Sequence, residues 1–272
     1  MMSSASKLIQ AAAGAGAGEG LYVEEVFSTY LYTGTGSTQT ITNGIDLDGE
    51  GGLVWAKRRN GTHEHGLYDT ERGTGKRLSS NDTSAEETDS NGVTSFNSDG
   101  FTHGSADDIG GNADTYASWT FRKAPKFFDV VTVDVPDPEP TSMTIDHNLG
   151  QQVGMVIMTN YTHSYPWSVW HRSIGSNYYM DLSSVAGKSF FGGTGFSSSS
   201  TQITIPGVFL HSGTNNGKAV LYLFAHNDGD GEFGESGDQD IIKCGSWTGA
   251  SQTVTLGWEP QFVLWKRTDT NG

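Results

Sequence analysis

Gly52-Leu53-Val54-Trp55-Ala56-Lys57 returns 102 positions later as Gly154-Met155-Val156-Ile157-Met158-Thr159. Each run is continuously apolar, rich in β-forming residues and opened by a glycine. That composition suits a strand buried on both faces, or one covered by a neighbouring sheet. Further along, Leu67-Tyr68-Asp69-Thr70-Glu71-Arg72-Gly73 keeps the same spacing to Val169-Trp170-His171-Arg172-Ser173-Ile174-Gly175. Leu78-Ser79-Ser80 matches Leu182-Ser183-Ser184 at an offset of 104, and Phe101-Thr102-His103-Gly104 matches Phe209-Leu210-His211-Ser212 at 108. The rising offset reads as loops that lengthen between fixed strands.

A third copy opens near residue 247. Tyr32-Thr33-Gly34 recurs as Trp247-Thr248-Gly249, and Thr38-Gln39-Thr40-Ile41-Thr42 recurs as Ser142-Met143-Thr144-Ile145-Asp146 and as Ser251-Gln252-Thr253-Val254-Thr255. Phe262-Val263-Leu264-Trp265-Lys266-Arg267 then repeats Leu53-Val54-Trp55-Ala56-Lys57-Arg58. About a quarter of a sandwich cannot bury its own apolar face. The expectation is a chain that leads a longer protein, or one whose last unit another chain completes.

Outside these runs, strand-like segments alternate with turn residues. Tyr116-Ala117-Ser118-Trp119-Thr120-Phe121 and Val220-Leu221-Tyr222-Leu223-Phe224 close the first and second units, and Asn43-Gly44, Asn91-Gly92 and Asp99-Gly100 supply tight turns. Asp134-Val135-Pro136-Asp137-Pro138-Glu139-Pro140 shapes a projecting loop that cannot join a ladder. No amphipathic helix stands out. The sequence predicts an all-β chain of tandem antiparallel β-sandwich repeats behind a non-globular N-terminal leader. Its predicted parts are a leader over residues 1–25, repeats over 26–128 and 129–240, and an incomplete third repeat over 241–272.

The chain has 272 residues and a formal net charge of −15, which argues against a surface built to neutralise nucleic-acid phosphates or anionic lipid. No run approaches the roughly 18 apolar residues that span a bilayer. The single cysteine, Cys244, excludes a disulfide framework within the chain.

Chemical motifs fall short one by one. Asp46-Leu47-Asp48-Gly49-Glu50-Gly51 begins like a calcium loop, but Lys57 stands where a bidentate glutamate is needed. The acidic run from Asp228 to Asp240 keeps open a weak calcium site. Glu71-Arg72-Gly73-Thr74-Gly75-Lys76-Arg77 lacks the glycine spacing and hydroxyl of a phosphate loop. His63 and His65 would share a face on a strand, but no third metal ligand can be chosen. No G-x-S-x-G elbow occurs. The sequence therefore predicts no catalytic residue, metal or cofactor.

Several of these segments together resemble a known family. They include Ser4-Ala5-Ser6-Lys7-Leu8-Ile9-Gln10, Val26-Phe27-Ser28-Thr29-Tyr30-Leu31-Tyr32-Thr33-Gly34 and the stretch Gly44 to Trp55. To them belong Thr94-Ser95-Phe96-Asn97-Ser98-Asp99-Gly100-Phe101, Ala117 to Thr132, Asp146-His147-Asn148-Leu149-Gly150 and Leu223-Phe224-Ala225-His226. They are similar to tail-fibre-type virion proteins of marine bacteriophages, especially those infecting cyanobacteria. The resemblance covers nearly the whole chain and departs most over residues 133–140 and 188–203.

The resemblance implies a virion structural protein rather than an enzyme: the tail-proximal part of a homotrimeric tail fibre that supports host attachment. Leu8, Ile9, Tyr22 and Val23 would then dock the leader on tail hub, adaptor or nozzle proteins, and the β-units would be rigid spacers. It implies no nucleic-acid partner and no membrane insertion. Two alternatives stand beside it. One is a domain that binds or depolymerises host polysaccharide, with Trp167, Trp170, Trp247 or Trp258 stacking on sugars; the other is a head-fibre or decoration protein.

Overall fold

The computed structural model describes residues 20–210 and 217–269. After a single helical turn, α1 (Val23–Val26), the chain runs through nine strands: β1 (Phe27–Thr33), β2 (Gln39–Thr42), β3 (Gly52–Arg58), β4 (Gly66–Asp69), β5 (Lys76–Arg77), β6 (Glu87–Thr88), β7 (Val93–Asn97), β8 (Gly100–His103) and β9 (Thr115–Arg122). Nine more follow: β10 (Phe128–Val135), β11 (Ser142–Asp146), β12 (Met155–Asn160), β13 (Ser168–His171), β14 (Tyr178–Asp181), β15 (Ser189–Phe190), β16 (Ser197–Ser198), β17 (Gln202–Pro206) and β18 (Gly217–Phe224). A 3-10 turn over Gly207–Phe209 is the other helical piece among the described residues. The protein is all-β and its strand ladders are antiparallel.

Strand order repeats with a step of nine. The first half forms a sheet β1-β9-β3-β4 and a sheet β2-β8-β7; the second forms β10-β18-β12-β13-β14-β15 and β11-β17-β16. The pairings agree residue by residue in several places. Leu53 lies opposite Asp69 as Met155 lies opposite His171. Thr40 and Thr102 share a hydroxyl contact of 3.0 Å across β2 and β8, and Thr144 and Thr204 share one of 3.2 Å across β11 and β17.

This register corrects two of the sequence matches. Leu78 bridges Leu67, and it is Met180 that pairs with Val169, so Leu78 corresponds to Met180 rather than Leu182. Phe101 faces Ile41 as Ile203 faces Ile145, so Phe101 corresponds to Ile203. Phe209 lies in the 3-10 turn beyond β17, and His211 falls outside the described residues. The growing offset came from short look-alike segments, and the strand spacing itself stays close to constant.

Side-chain alternation builds two apolar layers around the first large sheet. On β3, Val54 and Ala56 join Ile41, Ile45, Leu47, Tyr68, Phe101 and Tyr116 between the two sheets of the first half. Leu53 and Trp55 point the other way and join Phe27, Leu67 and Phe121 against Phe128, Val130, Tyr222 and Phe224 of the second half. Phe121 packs edge-on against Phe224 at 5.6 Å between ring centres and lies 5.4 Å from Phe128. The larger sheets thus meet face to face, with β10 lying against β3 and β9. Each fully buried Leu or Phe in this seam contributes about 1.5–3 kcal/mol relative to exposure.

Glycine opens β3 and β12's approach for a steric reason. A Cβ on Gly52 would overlap the Phe121 carbonyl oxygen, and one on Gly154 would sit 2.7 Å from the Ala225 carbonyl oxygen. The stretch over 241–269 forms no strand or helix among its described residues, although parts of it repeat the sequences of β2 and β3. Ser251 to Thr255, which matches Thr38 to Thr42, belongs to it. Phe262 from this stretch lies 6.1 Å from Phe27 and 5.7 Å from both Trp119 and Phe121, covering the exposed end of the first large sheet.

Candidate functional site

The most tightly organised polar cluster sits where the halves meet. β4 ends at Asp69, and the following turn folds back so that the Arg72 backbone N–H donates to Asp69 Oδ1 at 2.9 Å. The guanidinium then donates from Nε to Asp69 Oδ2 at 2.7 Å and from Nη1 to Glu86 Oε2 at 3.2 Å and the Lys76 carbonyl at 3.0 Å. Nη2 donates to the Leu67 carbonyl at 3.1 Å and reaches the Tyr222 hydroxyl at 3.4 Å. Tyr222, from β18 of the second half, donates its own proton to Asp69 Oδ2 at 2.8 Å.

Both charged side chains are out of water, Arg72 at 1% exposure and Asp69 at 0%. Burial opposes the charge on Arg72, but Asp69, with Tyr222 and Glu86, more than offsets it and holds the guanidinium above its ordinary value. Burial, then the Asp69 carboxylate, pushes the Tyr222 phenol well up. Every guanidinium N–H direction is engaged, so the cluster has no spare donor for a substrate. It joins two sheets. Glu86 N–H donating to the Tyr161 carbonyl at 2.8 Å and Trp167 Nε1 donating to the Ser79 carbonyl at 2.9 Å extend the same seam.

The glycine-flanked basic run over residues 71–77 is consumed by these pairings. Lys76 lies 3.3 Å from Glu86, and Arg77 contacts Glu87 at 2.8 Å and Asp108 at 3.4 Å. Carboxylates already neutralise the cations that a phosphate would need. The two segments weighed as calcium loops are likewise self-bonded: Asp46 Oδ1 accepts from Gly49 N–H at 2.7 Å, and Asp240 accepts from the Gly229 and Gly231 N–H groups at 2.8 and 2.9 Å. Asp228 is paired with Lys243 at 2.9 Å. Among the described residues no group of three His, Cys, Asp or Glu side chains is placed to hold a metal ion.

His63 and His65 lie in a loop rather than on a strand, so the shared face expected for them does not form. His65 Nδ1 accepts from Trp55 Nε1 at 2.8 Å. Burial, reinforced by Lys57, lowers its pKa to about 4. His171 is lowered to about 4 by burial, then by His226 and Arg172. Cys244 is buried and its thiol is pushed up to about 12, leaving it a poor nucleophile at neutral pH.

Of the four predicted docking residues, Leu8 and Ile9 lie outside the described residues. Tyr22 is 38% exposed, while Val23 packs against the core of its own chain. The segment is sewn to the loop after β18: Gly20 N–H donates to the Gly234 carbonyl at 3.1 Å, and Gly234 N–H donates to the Leu21 carbonyl at 2.8 Å. The globular body therefore begins by residue 20, ahead of the boundary at 26.

Among the tryptophans offered for sugar stacking, Trp167 and Trp170 are core residues at 1% and 7% exposure, whereas Trp247 is 52% exposed. The two best-formed clefts hold about 140 and 200 Å³, lined respectively by residues that include Glu64 and Arg77, and Lys123 and Asp129. Both fall below the roughly 300 Å³ at which drug-sized ligand pockets begin. No helix among the described residues is long and apolar enough to cross a membrane.

The Asp69, Arg72 and Tyr222 cluster was missed from sequence because Tyr222 stands 150 residues from Arg72. The one available signal was an acid and a base three residues apart at the end of a strand.

No curated protein matches the chain. No solved structure matches it either. A family described as "Domain of unknown function (DUF7483)" matches residues 23–272, which takes in the twinned strand order, the seam between the halves and the unpaired stretch after Cys244. The chain belongs to that family.

Proposed function

We propose that this chain is a structural protein of a bacteriophage particle, its two halves acting as tandem antiparallel β-sandwich repeats in the tail-proximal part of a homotrimeric tail fibre. The observation that carries the reading is the recurrence of one nine-strand order, with both copies packed on each other through large aromatic side chains. Such an arrangement resists bending because the Asp69, Arg72 and Tyr222 groups in the seam are paired and its aromatic side chains are buried. Its work is mechanical. The paired basic run, the self-bonded acidic turns and the inert thiol support a role without bond-breaking chemistry. The resemblance of residues 4–10, 26–34 and 44–55 to tail-fibre-type proteins supplies the virion setting.

The test is quantitative mass spectrometry of density-purified particles of the virus that encodes the chain. Peptides at a whole multiple of three copies per particle are expected; confinement of the protein to the infected-cell lysate rejects the reading. Removing residues 1–19, ahead of the stitched segment, should yield a folded protein that particles no longer carry. Normal incorporation of that variant would reject docking through the leader.

A further inference from the structure

We infer that copies of this chain join by setting the outer edge of β1 in one copy against residues 262–267 of another. β1 ends its sheet, and among the described residues its outer side pairs with no strand. Tyr30 and Leu31 stand 37% and 57% exposed on it. An open edge with exposed apolar side chains is a template for strand addition.

The donor is unusual in its own chain. Phe262 to Arg267 repeats the sequence of β3, a central strand, yet it belongs to no ladder. It is held at both ends. Thr29 Oγ1 donates to the Gln261 carbonyl at 3.5 Å and Phe262 sits on Phe27 and Trp119, while Lys188 N–H donates to the Thr268 carbonyl at 3.1 Å. Lys266 Nζ donates to the Ser184 carbonyl. Between these anchors Val263, Leu264 and Trp265 are 64%, 42% and 69% exposed. The segment is therefore presented outward and cannot slide along the edge of its own β1.

Charge selects the partner and the direction. Lys266 and Arg267 are adjacent cations in a chain of net charge −15, and Arg267 rests in an exposed pair with Asp269 at 2.7 Å that a partner's carboxylate can replace. Antiparallel addition brings them to the start of β1, where Glu24 and Glu25 are exposed. A second copy offers both the apolar edge and the acidic pair. Donor and acceptor are different surfaces, so the contact repeats from copy to copy and closes as a ring or a reciprocal pair. The inference deepens the fibre reading, and rests on it only in requiring that copies associate.

Light scattering on the full 272-residue chain is expected to give one species at two or three times 29.1 kDa. A monomer at tens of micromolar overturns both the contact and the association of copies. Leu31→Asp and Trp265→Asp should each give a monomer with an unchanged thermal melt. An oligomer that survives both substitutions overturns this contact alone and leaves association standing. Mixing a Leu31→Cys chain with a Val263→Cys chain under oxidation should yield a two-chain band that neither variant gives by itself, and absence of that band from oligomeric material overturns the contact.

Discussion

Arg72 shows how a charge can be buried without becoming a reactive group. Its five N–H directions and the Asp69 carboxylate are satisfied by each other, by carbonyls and by Tyr222. Removing one partner of such a pair strands the other charge in a dry seam. Arg72→Met is therefore expected to cost about 3–5 kcal/mol in urea unfolding. Tyr222→Phe removes one hydrogen bond and should cost about 1–2 kcal/mol. A loss below 1 kcal/mol for Arg72→Met would mean that the pair does not bind the halves. Little of this was legible in the sequence. The corresponding residues of the second half are His171 and Ile174, so the repeat pattern gave no hint that positions 69 and 72 carry a pair.

Two half-buried histidines shape the response to acid. His65 and His171 titrate near 4 in the folded chain against about 6.5 unfolded. Between those values the unfolded chain binds more protons, so stability is full above pH 6.5 and falls as pH drops toward 4. Allowing for their partial exposure, each contributes about 1–2 kcal/mol to the fall. Unfolding midpoints measured from pH 7 to pH 4 should decline, with His65→Gln removing part of the decline; a flat profile contradicts the assignment.

At the scale of elements, composition read the strands well and the register less well. The apolar runs of β3 and β12 and the closing strands β9 and β18 appeared where the pattern placed them. Hydrophobic runs survive because burial on both faces leaves few acceptable residues. Serine-rich loops carry no such constraint, so Leu78 and Leu182 matched by chance and the structural pairing displaced the match. The segment over 262–267 has the composition of a strand and no ladder to join, which periodicity alone cannot report. Gly52 was read as a marker of the repeat, and its cause is contact with the Phe121 carbonyl. Gly52→Ala should lower stability by about 1–3 kcal/mol in denaturant unfolding through local overpacking. An unchanged midpoint would show that β3 can shift away from β9 without loss.

For the whole molecule, the sequence pattern suggested units in series, and the two halves pack on each other through one aromatic core. Phe121 meets its counterpart Phe224, and β10 lies against β3 and β9. The shared aromatic core and the Asp69, Arg72 and Tyr222 cluster also tie the folding of one half to the other.

Scanning calorimetry of the intact chain tests that union most directly. One transition is expected, with the calorimetric enthalpy equal to the van't Hoff enthalpy within error. Two resolved transitions, or a calorimetric enthalpy about twice the van't Hoff value, would show halves that melt independently and would contradict a single rigid body.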